Sequence, residues 1–189
     1  MRVAPHHTAV MSEEWFDVVD EQDRVSGAAP RREVHARGLR HRAVHVLVFD
    51  GAGRIVLQRR APTKDLFPNV WDSSASGHVD RSEDYDPCAA RELREELGIT
   101  PAAAPARMAR IEACAQTGWE FVWAYQCRHD GPVQPAASEI SEVAWFTPAE
   151  VDAWLAARPQ EFAPSFPLVW KLWRGWRERK AFAFRRRRR

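Results

Sequence analysis

The segment GHVDRSEDYDPCAARELREELGI, Gly77 to Ile99, constrains this chain most. Tyr85 to Leu97 reads as a helix with Pro87 in its first turn and Gly98 where the chain must leave it. Glu92, Glu95 and Glu96 are then related by i, i+3 and i+4, so three carboxylates project from one side. Such neighbours repel one another unless a cation fills the gap, and an oxygen-rich set suits Mg²⁺ or Mn²⁺ together with substrate phosphates. Leu93 and Leu97, with Ala90, form another face that anchors the helix to a sheet. A helix bound to a sheet on one side and to cations on the other implies an α/β fold. Glycine at 77 permits an unusual backbone angle or a close approach of chain and metal.

The rest of the chain supplies that sheet. Trp15 to Asp20 and Arg24 to Ser26 read as a strand and its return, and Pro30 to Arg40 as a polar stretch opening with a helical turn. The β-branched run Arg42 to Phe49 ends at Asp50-Gly51-Ala52-Gly53, a hairpin signal, and Arg54 to Arg60 pairs back. After the loop Ala61 to Val70 comes an extended piece, Trp71 to Gly77. Further strands are expected around Ala106 to Cys114, Phe121 to Cys127 and Val143 to Phe146, with Trp119, Phe121 and Trp123 alternating as one strand face. Thr147-Pro148-Ala149-Glu150 carries cap, first-turn proline and third-position glutamate of a new helix. A last helix spans Ser165 to Lys180, with Leu168, Leu172 and Trp176 sharing a face.

At 189 residues, 45% apolar and 29% charged, the chain suits one globular enzyme domain. The division expected is a flexible leader over 1–12, one domain over 13–182 and a basic tail over 183–189. No apolar run is long enough to cross a bilayer, and the start lacks a signal-peptide stretch, which favours a cytoplasmic protein. Cys88, Cys114 and Cys127 have no CxxC spacing, which disfavours zinc and a disulfide framework. Net charge is +2, yet the end of the chain is basic and the remainder acidic. The run Arg185 to Arg189 suits nucleic acid or an anionic surface, but a solvated terminus is the simpler expectation. A homodimer is compatible with these features.

The glutamate helix resembles the Nudix box, Gly-x5-Glu-x7-Arg-Glu-apolar-x-Glu-Glu-x-Gly-apolar, at Gly77, Glu83, Arg91, Glu92, Leu93, Glu95, Glu96, Gly98 and Ile99. The resemblance implies a Nudix α/β/α sandwich with a mixed β-sheet. It also implies an Mg²⁺- or Mn²⁺-dependent hydrolase cleaving a diphosphate linkage in a nucleotide or other small organic diphosphate. By position, Glu92, Glu95, Glu96 and the Gly77 carbonyl are its metal ligands, with Glu92 and Glu96 catalytic and Glu83 and Arg91 supporting the site. The base that activates water lies outside the box. Glu139 is favoured over Glu142 and Glu120, because the loop before a Trp-Phe strand resembles the place where relatives keep it. Arg59, Arg60 and Lys64 are the candidate diphosphate contacts, by the affinity of guanidinium and ammonium for phosphate.

The stretches FDVVDEQDRVSG, LRHRAVHVLVFD, IVLQRRAPTKDLFPNVWDSSASGHV and SEVAWFTPAE further resemble isopentenyl-diphosphate isomerase and its hydrolase-like relatives. In that enzyme a cysteine before a Gly-His pair moves a proton with a glutamate, and histidines and glutamates hold the metal. Here Ser76 precedes Gly77-His78, and a hydroxyl is far less acidic than a thiol. With the box complete, hydrolysis is the leading expectation, and an isomerase-like enzyme or a non-catalytic nucleotide- or RNA-binding protein the alternatives. His78 matches the isomerase's Gly-His pair, and His41 and His35 fall near its ligand histidines, but with the box complete His35, His41 and His45 are assigned to structure or substrate contact rather than to metal.

Overall fold

The computed structural model describes residues 13–186, so the leader expected over 1–12 lies outside the described residues. Strands β1 (Trp15–Val19) and β2 (Val25–Pro30) form a separate antiparallel pair, turned by Asp20, whose Oδ1 accepts from the backbone N–H of Gln22 (2.9 Å) and Arg24 (3.0 Å). Helix α1 (Arg31–Arg37) follows directly. The seven-stranded sheet is built from β3 (His41–Phe49), β4 (Ile55–Arg60), β5 (Trp71–Asp72), β6 (Ala75–His78), β7 (Ala106–Ile111), β8 (Glu120–Arg128) and β9 (Ile140–Phe146). Its main path runs β5-β4-β3-β8-β7, with β6 on β3 and β9 on β4. The β3–β8 pairing is parallel and the others are antiparallel, so the sheet is mixed.

Period-two alternation sends the two faces of β3 into different layers. Val44, Val46 and Val48 join Leu93, Leu97 and Ile99 under α2 (Tyr85–Leu97). Leu47 and Phe49 join Val151 of α3 (Pro148–Ala157) and Phe166, Val169, Trp170 and Trp173 of α4 (Phe166–Arg186). The result is the expected α/β/α sandwich. Helix α2 is capped by Asp84 and released at Gly98, whose φ of 66° is left-handed and lets its N–H reach the Arg94 carbonyl. On its inner face Cys88 and Ala89 are buried, and Ala90 only half-buried. Helix α3 begins with a reciprocal cap, Thr147 N–H donating to Glu150 Oε2 at 2.7 Å and Glu150 N–H to Thr147 Oγ1 at 3.3 Å.

Leu172 and Trp176 pack against the core half-buried, beside the fully buried stripe of Phe166, Val169, Trp170 and Trp173. Two local expectations are corrected. Helix α4 runs on to Arg186. Trp119 lies outside β8, in a left-handed conformation (φ 67°) and 40% exposed, so it does not continue the Phe121-Trp123 face.

The two tryptophans of α4 give a direct check of this seating. Trp173→Ala should cost about 3–5 kcal/mol in urea unfolding, and Trp176→Ala less than half as much; equal losses would contradict it.

Candidate active site

Strand β6 is the floor of the site. Its antiparallel register on β3 sets Gly77 opposite Val44 and His78 opposite Ala43. Gly77 therefore faces α2, and a Cβ there would lie 2.0 Å from Glu92 Oε1, so only glycine lets this carboxylate rest against the strand. Glu92 is 8% exposed and Glu96 6%. Burial pushes the Glu92 carboxyl up to about 7, against the Arg91 charge that lowers it. Burial, with the Glu92 charge adding to it, pushes Glu96 up to about 8. Glu96 Oε2 accepts from the Gln58 side-chain amide and from the Ser76 backbone N–H, both at 2.9 Å. Glu95 is exposed at the rim.

Arg91 ties these groups together. Its Nε and Nη2 donate to the two oxygens of Glu83 at 3.0 and 2.8 Å, and Nη2 also to the His78 carbonyl at 3.0 Å. Its Nη1 donates to Glu92 Oε1 (2.7 Å) and Glu95 Oε2 (3.0 Å). The guanidinium fork thus spans three of the carboxylates that sequence spacing singled out.

A cavity of about 450 Å³ opens over this floor, lined by Glu92, Glu95, Glu96, Ser76 and Gly77. The loop between β4 and β5 brings Lys64, which pairs with Glu139 at the cavity wall. Arg60 also lines the cavity, but its Nε and Nη2 donate to the carbonyls of Phe67 (3.1 Å) and Leu66 (3.0 Å) and so fasten that loop. Arg59 is not among the lining residues; it donates to the Asn69 carbonyl and sits 3.7 Å from Glu142, which is likewise outside. Arg31, which sequence reading passed over as polar, lines the cavity and donates twice to Asp65 at 2.9 and 3.0 Å. No local signal marked it, since only the fold carries the start of α1 to this wall.

The far end of the same cavity holds a second cluster. One ring nitrogen from each of His35, His41 and His78 lies within 4.8 Å of the others. Glu120 Oε1 is 3.1 Å from His78 Nε2 and 3.5 Å from His41 Nε2. Phe16 stacks on the rings of His41 and His78 with centroids 5.7 and 4.5 Å apart. His41 uses Nδ1 to donate to the Leu39 carbonyl at 2.9 Å, which presents Nε2 as a bare lone pair. The Nε2 atoms of His35 and His41 are buried without a hydrogen-bond partner. Burial, then the His78 charge, lowers His35 to about 4, and burial also lowers His78. Burial raises the Glu120 carboxyl, but the imidazole contacts outweigh it and hold the group below its usual range. The partnerless Nε2 atoms of His35 and His41, with His78 and the Glu120 carboxylate beside them, suit a divalent cation, as the oxygen set around Glu96 does. His45 is set apart, its Nδ1 bonded to Ser73 Oγ at 2.7 Å.

Comparison with known proteins places this geometry. The NUDIX domain family model matches residues 39–166. The chain belongs to the Nudix family. A Nudix hydrolase of Yersinia pestis is 38% identical over 164 residues, covering 85% of each chain. An isopentenyl-diphosphate Delta-isomerase of Nocardia farcinica is 37% identical over 155 residues, 78% of this chain and 87% of that protein. Among solved structures, DR0079 of Deinococcus radiodurans superposes with a TM-score of 0.68 at 32% identity, covering 76% of this chain and 90% of that one. The chain is thus similar both to Nudix hydrolases and to an isopentenyl-diphosphate isomerase. Among the described residues no helix is long and apolar enough to cross a membrane.

The raised carboxyls fix the sign of a pH effect. Glu92 and Glu96 hold protons in the folded chain at pH values where the unfolded chain has lost them, so their contribution is full below about 4.5 and lost as pH rises through about 7 to 8. His35 and His78 act with the opposite sign, below about pH 6.5. Without divalent cations, Tm by calorimetry should therefore fall between about pH 6.5 and 8.5. Mg²⁺ should raise Tm most at the upper end, and Glu92→Gln/Glu96→Gln should flatten the slope. A Tm that climbs over this window would count against the burial of these charges.

Proposed function

We propose that the chain is a divalent-metal-dependent hydrolase that cleaves a diphosphate linkage in a nucleotide or other organic diphosphate. The observation that carries this reading is the pair of buried carboxylates with raised pKa, Glu92 and Glu96, in a cavity that Arg31, Arg60 and Lys64 also line. Glu92, Glu95, Glu96 and the Gly77 carbonyl would hold Mg²⁺ or Mn²⁺, since hard cations prefer oxygen donors. When bound there, the cation supplies Lewis-acid polarisation of phosphoryl oxygens.

The protein's own groups do the rest. Gln58 and the Ser76 N–H fix Glu96 Oε2, which leaves Oε1 for the cation. Arg91 orients Glu92, and Glu83 holds Arg91 by both oxygens. Glu139 accepts the proton of the attacking water, with its carboxylate directed by Lys64. Lys64 and Arg31 face the diphosphate, while Arg60 keeps the loop that carries Lys64 in place.

A second reading rests on the histidine cluster. His35, His41, His78 and Glu120 would hold another divalent cation, of the kind that accepts nitrogen donors. With the Nocardia relative, this set favours double-bond isomerisation of isopentenyl diphosphate. Against it stands Ser76, a hydroxyl where the resemblance to the isomerase implies a thiol.

One panel separates the two. Nucleoside di- and triphosphates, dinucleotides, nucleotide sugars and isopentenyl diphosphate are incubated with Mg²⁺ or Mn²⁺. Phosphate or pyrophosphate release is expected, and Glu96→Gln should lower turnover by about 10³-fold or more, equivalent to about 4 kcal/mol. Double-bond migration without phosphate release would overturn hydrolysis in favour of the isomerase. Unchanged turnover in Glu96→Gln would remove the carboxylate helix from the chemistry.

A further inference from the structure

Helix α4 changes character after Trp176. Its first half is seated in the sandwich by Phe166, Val169, Trp170 and Trp173. From Arg177 onward every residue whose exposure is described is exposed, Phe182 by 64%. Ten residues of helix from Arg177 to Arg186 extend about 15 Å.

The charge is concentrated there. Residues 174–189 carry nine arginines and lysines against one glutamate, whereas the remainder carries nineteen against twenty-five aspartates and glutamates. At about 100° per residue, Arg174, Arg177, Arg179, Lys180 and Arg186 are spread around the axis with no gap wider than about 120°. Among the described residues only Arg174 of these has an ion-pair partner, Asp152 at 3.1 Å. Arg177 lies over the Trp173 ring (5.4 Å), Lys180 over Trp176 (4.1 Å) and Arg186 over Phe182 (5.6 Å). A ring holds the side chain in place without occupying its N–H groups, which stay available for phosphate.

This distribution selects among polyanions. An anionic bilayer calls for a helix with cations on one side and an apolar face on the other. Here the apolar stripe is spent on the core up to Trp173, and cations encircle the part beyond it. A nucleic acid, with closely spaced phosphates able to approach from several sides, matches a helix charged all round.

We propose that the helical end over residues 174–186 binds nucleic acid through its phosphate backbone, without reading base sequence, and so tethers the catalytic domain to it. This surface is separate from the cavity and independent of the reaction performed there.

The test uses the full chain and a fluorescently labelled 20-nucleotide single-stranded RNA and 20-base-pair DNA duplex, read by anisotropy. Binding with Kd of about 10 μM or tighter is expected at about 50 mM NaCl, with about 500-fold loss by about 200 mM for some five phosphates engaged on duplex. Replacing Arg177, Arg179 and Lys180 together by Gln, or deleting residues 185–189, should flatten the salt slope by about 2 or more and weaken binding at least about 20-fold. Both variants should keep the parent's circular dichroism and phosphate release. Absence of binding at low salt, or binding that neither variant weakens, overturns the proposal. Tighter binding to phosphatidylserine vesicles than to RNA, at equal concentration of anionic groups, overturns it in favour of a membrane surface. Because phosphate release is read separately, loss of the hydrolase reading would leave this outcome intact, and the reverse.

Discussion

Glu92 and Glu96 lie one helical turn apart on α2, both withdrawn from water against β6. Taking a carboxylate out of water is costly, and placing two together adds their repulsion. The surroundings answer this unequally. Glu92 touches a cation, Arg91, whereas Glu96 receives only neutral donors, the Gln58 amide and the Ser76 N–H. The more deeply raised carboxyl is accordingly Glu96, at about 8 against about 7. The position that lacks a protein cation is where a bound cation would gain most, so the proposed chemistry of the site would be tied to its folding energetics.

That arrangement depends on the packing beneath it. Leu93 and Leu97 seat α2 on the valines of β3, and their burial fixes which way residues 92 and 96 point. On the other face α3 and α4 cover Leu47, Phe49, Ile55 and Leu57, so neither sheet face is left to solvent. The close contact between Gly77 and Glu92 is tolerable only because the register of β6 on β3 is fixed by this two-sided burial.

What the sequence made legible was local and periodic. A β-branched run marked β3, a hairpin signal β4, and the alternation of Phe121 and Trp123 β8; spacing marked α2, and Thr147 with Glu150 marked the start of α3. The box positions 77, 83, 91, 92, 95 and 96 meet in space because one helix and the strand before it suffice to assemble them. Features needing chain segments far apart were not legible from local pattern, and only the isomerase resemblance marked the histidines. Arg59 and Arg60 look equivalent in RIVLQRR, yet the pleat turns Arg59 out toward Glu142 and directs Arg60 into the loop carbonyls. Arg31 reaches the cavity from α1, and His35, His41, His78 and Glu120 converge from α1, β3, β6 and β8. In α4, Leu168 and Leu172 yield the most buried positions to Val169 and Trp173, one residue on, because local spacing does not record which side of the helix the opposite sheet covers most fully.

The three residues Ser76, Gly77 and His78 explain how one cavity holds two donor sets of different chemistry. Along a strand, successive side chains point to opposite faces. Gly77 faces α2 and admits Glu92, while the His78 side chain goes to the other face, where His41, on the matching face of β3, meets it with Glu120 from β8. Between them, the backbone N–H of Ser76 holds Glu96. A slip of one residue in the β6–β3 register would turn an imidazole toward Glu92 and a glycine toward the histidines, dismantling both sets at once. The carboxylate helix and the histidine cluster are therefore two consequences of a single strand pairing, and whichever chemistry the cavity performs, its precision is set by that register.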